Sequence, residues 1–231
     1  MVQLAQAKCR QLVVSQQYRF NPSMQKVRQL VAQGEIGTLG HGHLDFYIPA
    51  DFTGSFREKM EFPLLLDMAI HHVDLIRALT GLDVVAVTAF SFNPAGSWYQ
   101  HDAALKMFLE LEGAVVFSYS GDWSALGRTT GWNGSWRLQG STGSLHVDED
   151  KISLARCERW GKNPTLEEIA APDLIRRGQA KTLHTFAEAI RTGVSAETGG
   201  SANLNSFFTI VAAMKSVREA RRVAVAELAD S

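Results

Sequence analysis

In Thr38-Leu-Gly-His-Gly-His-Leu-Asp-Phe-Tyr-Ile48, the residues Gly40, Gly42, Leu44, Phe46 and Ile48 alternate with Leu39, His41, His43, Asp45 and Tyr47. A period of two belongs to a β-strand, whose successive side chains point to opposite faces. The first set is dry and the second mostly polar, so the strand has one core face and one mixed face. Segments 84–92, 103–111, 114–120, 134–139, 144–147 and 151–156 also read as strands. Gly113, Gly140-Ser-Thr-Gly143 and Asp148-Glu-Asp150 supply turns between several of them.

Helical signals lie on either side of most of this run. Asn21-Pro22 reads as an N-cap followed by proline at the first helical position. Met24, Val27, Leu30 and Val31 make the apolar stripe of that helix, and Gly34 stops it. Pro63 to Thr80, ended by Gly81, is the strongest helix, and two more are expected at 179–192 and 204–221. Strands in succession with helices grouped around them predict an α+β fold, a large, mostly antiparallel open sheet with helices on one face. The other face then needs a cover, which predicts a homodimer or homotetramer formed through the sheet. Residues 2–9 read as a helix and Gln11-Leu-Val-Val-Ser15 as a short buried strand, the closing unit of an α/β sheet.

Composition bounds the partners. The 231 residues carry 23 basic and 24 acidic side chains and are 45% hydrophobic, ordinary values for a globular protein. That balance gives no electrostatic case for nucleic acid or an anionic membrane. No apolar run approaches the ~18–20 residues that span a bilayer. The first residues show no signal-peptide pattern, so a cytoplasmic location is expected. Cys9 and Cys157 make neither a zinc-spaced cluster nor a disulfide framework, and read as buried or idle thiols.

The central helix holds the candidate chemistry. Asp67, His71 and Asp74 fall at i, i+4 and i+7 and share one face of an otherwise apolar helix. A histidine bracketed by two carboxylates is oriented and biased toward its protonated form, and can exchange a proton with a substrate hydroxyl. The same spacing also suits a plain Asp–His pair on a solvated face. A metal pair is a third reading, although no third ligand is placed. His72 points elsewhere and reads as a structural contact.

Tyr18-Arg19-Phe20-Asn21-Pro22, Gly34-Glu-Ile-Gly37, Leu66-Asp-Met-Ala-Ile-His-His-Val-Asp-Leu75, Gly140-Ser-Thr-Gly-Ser144 and Ala212-Ala-Met-Lys-Ser-Val-Arg-Glu-Ala-Arg-Arg-Val223 occur in this order. Together they resemble the C-terminal part of the glucose–fructose oxidoreductase/inositol dehydrogenase/rhizopine-catabolism (Gfo/Idh/MocA) family. The resemblance implies a substrate and oligomerisation domain of an NAD- or NADP-dependent dehydrogenase acting on a sugar, cyclitol or similar polyol. It places the catalytic roles on His71, as acid/base, and Asp67. It puts Arg19 near the same cleft; Asp74, on the shared helix face, and Trp123, in the loop after the 114–120 strand, are the further expected substrate contacts. It implies no cofactor-binding residue here, because the family's Gly-x-Gly-x-x-Gly turn is missing. Gly37-Thr-Leu-Gly-His-Gly42 has the wrong spacing. Glu58-Lys-Met60 is not the family's Glu-Lys-Pro segment, and Lys59 reads as a solvated charge. Residues 1–15 would be the remnant of a dinucleotide-binding domain and 16–231 the substrate domain, inactive without its cofactor domain. The rival expectation is a non-catalytic module that binds a polyol or a protein partner.

Overall fold

The computed structural model describes residues 1–157 and 165–229. Among these, the strands are β1 (Leu39–Tyr47), β2 (Val84–Phe92), β3 (Ala104–Leu111), β4 (Val116–Asp122), β5 (Ser135–Gly140), β6 (Gly143–Asp148), β7 (Lys151–Arg156), β8 (Thr165–Ile169) and β9 (Val223–Ala224). The helices are α1 (Val2–Ala7), α2 (Pro22–Ala32), α3 (Ile70–Thr80), α4 (Gly178–Thr192), α5 (Leu204–Glu219) and α6 (Ala226–Ala229). All nine strands join one sheet in the order β8-β7-β6-β5-β1-β4-β3-β2-β9. Every pairing is antiparallel except β1 with β4, where His43 lies opposite Ser118 and Phe46 opposite Gly121. The expected α+β architecture is therefore the observed one.

The alternation in β1 does what its pattern implies. Gly42, Leu44 and Phe46 are buried, while His43, Asp45 and Tyr47 are half-exposed. Gly42 is glycine for a steric reason: a Cβ there would stand 2.1 Å from the Phe117 ring of neighbouring β4. Phe46, Leu105, Met107, Leu109, Phe117, Tyr119, Leu138, Leu145 and Leu154 line one face of the sheet, and α2, α3 and α5 contribute Met24, Val27, Val73, Ile76 and Ala213 to the same core. The opposite face is open. Phe90 and Phe108 stand there 65% and 59% exposed.

Several local expectations are corrected. The Pro63–Thr80 helix is not uniform: Leu64–Ala69 is wound as a π-helix before α3 takes over. Asn21 precedes α2 in extended geometry, but its side chain does not cap the helix; Nδ2 donates to Asn133 Oδ1 instead. Residues 11–15 do not form a strand. Val13 makes a single bridge to Gly199, and Val14 N–H donates to Thr198 O. A strand needs a neighbouring strand along its length, and here only the 198–200 turn lies alongside. Cys9 and Cys157 are exposed rather than buried. β8 and β9 carry no expectation from sequence.

Candidate functional site

The π-turn and α3 place Asp67, His71 and Asp74 on one element, yet each has a partner from a different part of the chain. Gln16, almost fully buried, donates through Nε2 to Asn203 Oδ1 at 3.0 Å. That bond turns its Oε1 toward His71 Nδ1, 2.7 Å away. A carbonyl oxygen only accepts, so Nδ1 carries the proton and Nε2 keeps its lone pair. Nε2 makes no hydrogen bond to the described residues and is not sealed from solvent. Burial pushes the His71 pKa down, against the opposing charges of Asp74 and Asp67. The expected bias toward the imidazolium is therefore overturned. Neither carboxylate touches the ring, and desolvation outweighs their field.

Asp67 is held from the other side. Arg57, on the short 3₁₀ turn Phe56–Lys59, donates Nε–H to Asp67 Oδ2 at 2.9 Å. Its guanidinium lies over the rings of Phe52 and Phe56, 5.0 and 4.8 Å from their centroids. The Tyr18 ring centre is 5.3 Å from that of His71. Burial, with Asp67 adding its charge, raises the Tyr18 pKa and keeps the phenol neutral. Lys59 is exposed, in keeping with a solvated charge.

The remaining expected residues lie elsewhere. Asp74 is buried in a two-bond ion pair with Arg19, whose Nε donates to Oδ2 at 2.9 Å. Burial raises the Asp74 pKa even so, with Arg19, Arg77 and His71 pulling the other way. Arg19 also reaches Glu197, its Nη1 lying 3.7 Å from Oε2, so both of its partners are carboxylates of the chain itself. Arg19 borders a cavity of 380 Å³ with Arg28, Arg77 and Glu197, a lining that includes neither His71 nor Asp67. Trp123 does not line the site. It is 1% exposed and packs against Phe52 and Tyr99, with ring centres 5.1 and 6.0 Å away. Its position just after β4 directs it into the core.

His72 serves as an internal strut. It is fully buried, with Nδ1 3.1 Å from Tyr119 Oη, Nε2 3.3 Å from Trp132 O and the Phe46 ring at its edge. Burial pushes its pKa down to about 3. Sequence reasoning missed Gln16, Asn203 and Arg57. Gln16 stands 55 residues from His71 and 187 from Asn203, so no local spacing could signal the contacts.

Two relatives match along most of the chain. The uncharacterized protein y4oX of Sinorhizobium fredii is 24% identical over 94% of this chain and 63% of its own length. The D-apiose dehydrogenase of Paraburkholderia graminis is 25% identical over 94% of this chain and 60% of its own. The chain thus spans about three-fifths of these relatives. Among solved structures, an Agrobacterium radiobacter oxidoreductase in complex with NAD+, L-tartaric acid and magnesium superposes with a TM-score of 0.83, at 18% identity, covering 98% of this chain and 68% of that one. The aldose-aldose oxidoreductase of Caulobacter crescentus, complexed with glycerol, gives 0.79 at 18% identity, covering 96% and 66%. These structures share the fold. Residues 24–146, more than half of the chain, match the GFO/IDH/MocA C-terminal domain, and the chain belongs to that family.

Proposed function

We propose that this chain is the substrate side of an NAD- or NADP-dependent dehydrogenase acting on a sugar, cyclitol or similar polyol. The observation that carries the reading is the Gln16–His71 hydrogen bond, which leaves a neutral, solvent-reachable Nε2 beside a neutral tyrosine. Such a nitrogen accepts the proton of a substrate hydroxyl as the carbinol carbon is oxidised. A nicotinamide held by a cofactor domain would supply the hydride acceptor. Asp67 contributes negative charge that favours the imidazolium formed after proton transfer, and Gln16 acts as a positioning residue.

Gly37 and Gly42, in the segment with the densest glycines, do not fit a pyrophosphate. Gly42 is packed against Phe117, and a Cβ on Gly37 would meet the Ser141 and Thr142 side chains, so both serve the sheet and its turn. We therefore assign the cofactor site to a dinucleotide-binding domain outside this chain, with residues 1–15 as its closing segment. The open sheet face suits a homodimer or homotetramer. Two exposed cysteines suit a reducing, cytoplasmic compartment, and among the described residues no helix is long and apolar enough to cross a membrane.

The test follows the site itself. Titrating the chain with myo-inositol or D-sorbitol should perturb the NMR signals of the His71 imidazole and the Tyr18 ring, and His71→Ala should weaken binding. Saturating polyol without effect on either signal would overturn the reading.

A further inference from the structure

Resting on that polyol reading, we propose that the substrate carries a carboxylate, as an aldonate or uronate does, and that Arg57 is the residue that selects it. A neutral polyol needs donors and acceptors but no fixed cation. Arg57 is nevertheless held on Asp67, four residues before the proposed base on the same helical element. Its Nε is bound to Asp67, and its guanidinium lies over the rings of Phe52 and Phe56. Asp67 in turn is close enough to raise the Tyr18 pKa, and the Tyr18 ring lies against His71.

Only one edge of the guanidinium is used. Among the described residues neither Nη atom donates a hydrogen bond, and the side chain is 32% exposed. The Nη1–Nη2 edge presents parallel N–H donors whose spacing matches the two oxygens of a carboxylate. Asp67 sits on the Nε edge, so an arriving carboxylate can approach the opposite edge. The Asp67 bond and the ring contacts already restrain the side chain, so less freedom is lost when it does.

Calorimetric titration with D-gluconate and D-sorbitol tests this, because the two differ only in a carboxylate against a hydroxymethyl group at one end. The chain should bind gluconate roughly tenfold or more tightly than sorbitol, the scale of one charge-assisted pair of hydrogen bonds. Arg57→Gln should bring the ratio toward one, and Arg57→Lys, which keeps the charge but loses the fork, should leave it in between. Equal affinities in the unaltered chain overturn the Arg57 assignment and leave the polyol reading standing. Sorbitol 6-phosphate binding more tightly than gluconate overturns the carboxylate in favour of a phosphate. Binding of none of the three overturns the polyol reading as well.

Discussion

Oε1 of Gln16 lies 2.7 Å from Nδ1 of His71, so a neutral amide, not a carboxylate, sets the state of the imidazole. Gln16→Glu exchanges that dipole for a charge. The carboxylate favours the imidazolium, so the His71 pKa, now below its ordinary value, should rise. The pH above which the ring accepts a proton should rise with it. NMR titration of the His71 ring checks the shift. Under the proposed function, His71→Ala in the chain joined to a cofactor domain should lower turnover by roughly 10²- to 10⁴-fold, the usual worth of a positioned acid/base.

His72 makes stability depend on pH. Its folded pKa is about 3, against an unfolded value near 6.5. Between these values the unfolded chain binds the proton and the folded chain does not. Stability from this residue is therefore complete above about pH 6.5 and is progressively lost as the pH falls toward about 3. Thermal melts should show Tm declining over that window. His72→Gln should flatten the decline even if it lowers stability at neutral pH. An unchanged slope would remove His72 as its cause.

The Arg19–Asp74 pair should behave as structure. Both side chains are buried and share two hydrogen bonds. Asp74→Ala should cost about 3 kcal/mol, because it leaves the buried guanidinium with only the longer contact to the part-exposed Glu197. Urea denaturation measures the loss. Polyol affinity, measured where the variant is still folded, should stay within a few-fold of the original. A large fall in affinity without loss of stability would return Asp74 to the binding site.

The open face makes a prediction about assembly. Phe90 and Phe92 stack with ring centres 5.8 Å apart, and Phe108 stands exposed on adjacent β3. Single exposed apolar residues are ordinary, but a contiguous group is typical of an interface. Light scattering should show a dimer or tetramer at tens of micromolar, and Phe108→Glu should shift it toward monomer. A monomer before substitution would refute the proposed interface.

The legible part of the fold was the part with one wet and one dry face. β1 announces itself because alternate residues answer to different environments. β8, Thr-Leu-Glu-Glu-Ile, has little buried surface and is held by β7 alone, so no pattern is imposed on it. In the site, the spacing of Asp67, His71 and Asp74 correctly put three polar groups on one helical element. It could not say that Arg57, Gln16 and Arg19 would each claim one of them. Those partners come from separate segments, and a long-range hydrogen bond leaves no periodic trace in sequence.

The place of β1 in the sheet bears on how the chain reaches this structure. It lies between β4 and β5, joining the antiparallel run β2–β4 to the run β5–β8. Each run can form from neighbouring segments, but β1 is synthesised before both and must wait for its two neighbours. Until it inserts, the inner edges of both runs carry unpaired backbone groups, which are templates for pairing with another chain. The parallel β1–β4 contact spans about 75 residues, so its loop closure is slow compared with hairpin formation. Refolding should therefore be limited by the docking of β1, and its yield should fall with protein concentration as the waiting edges meet those of other molecules.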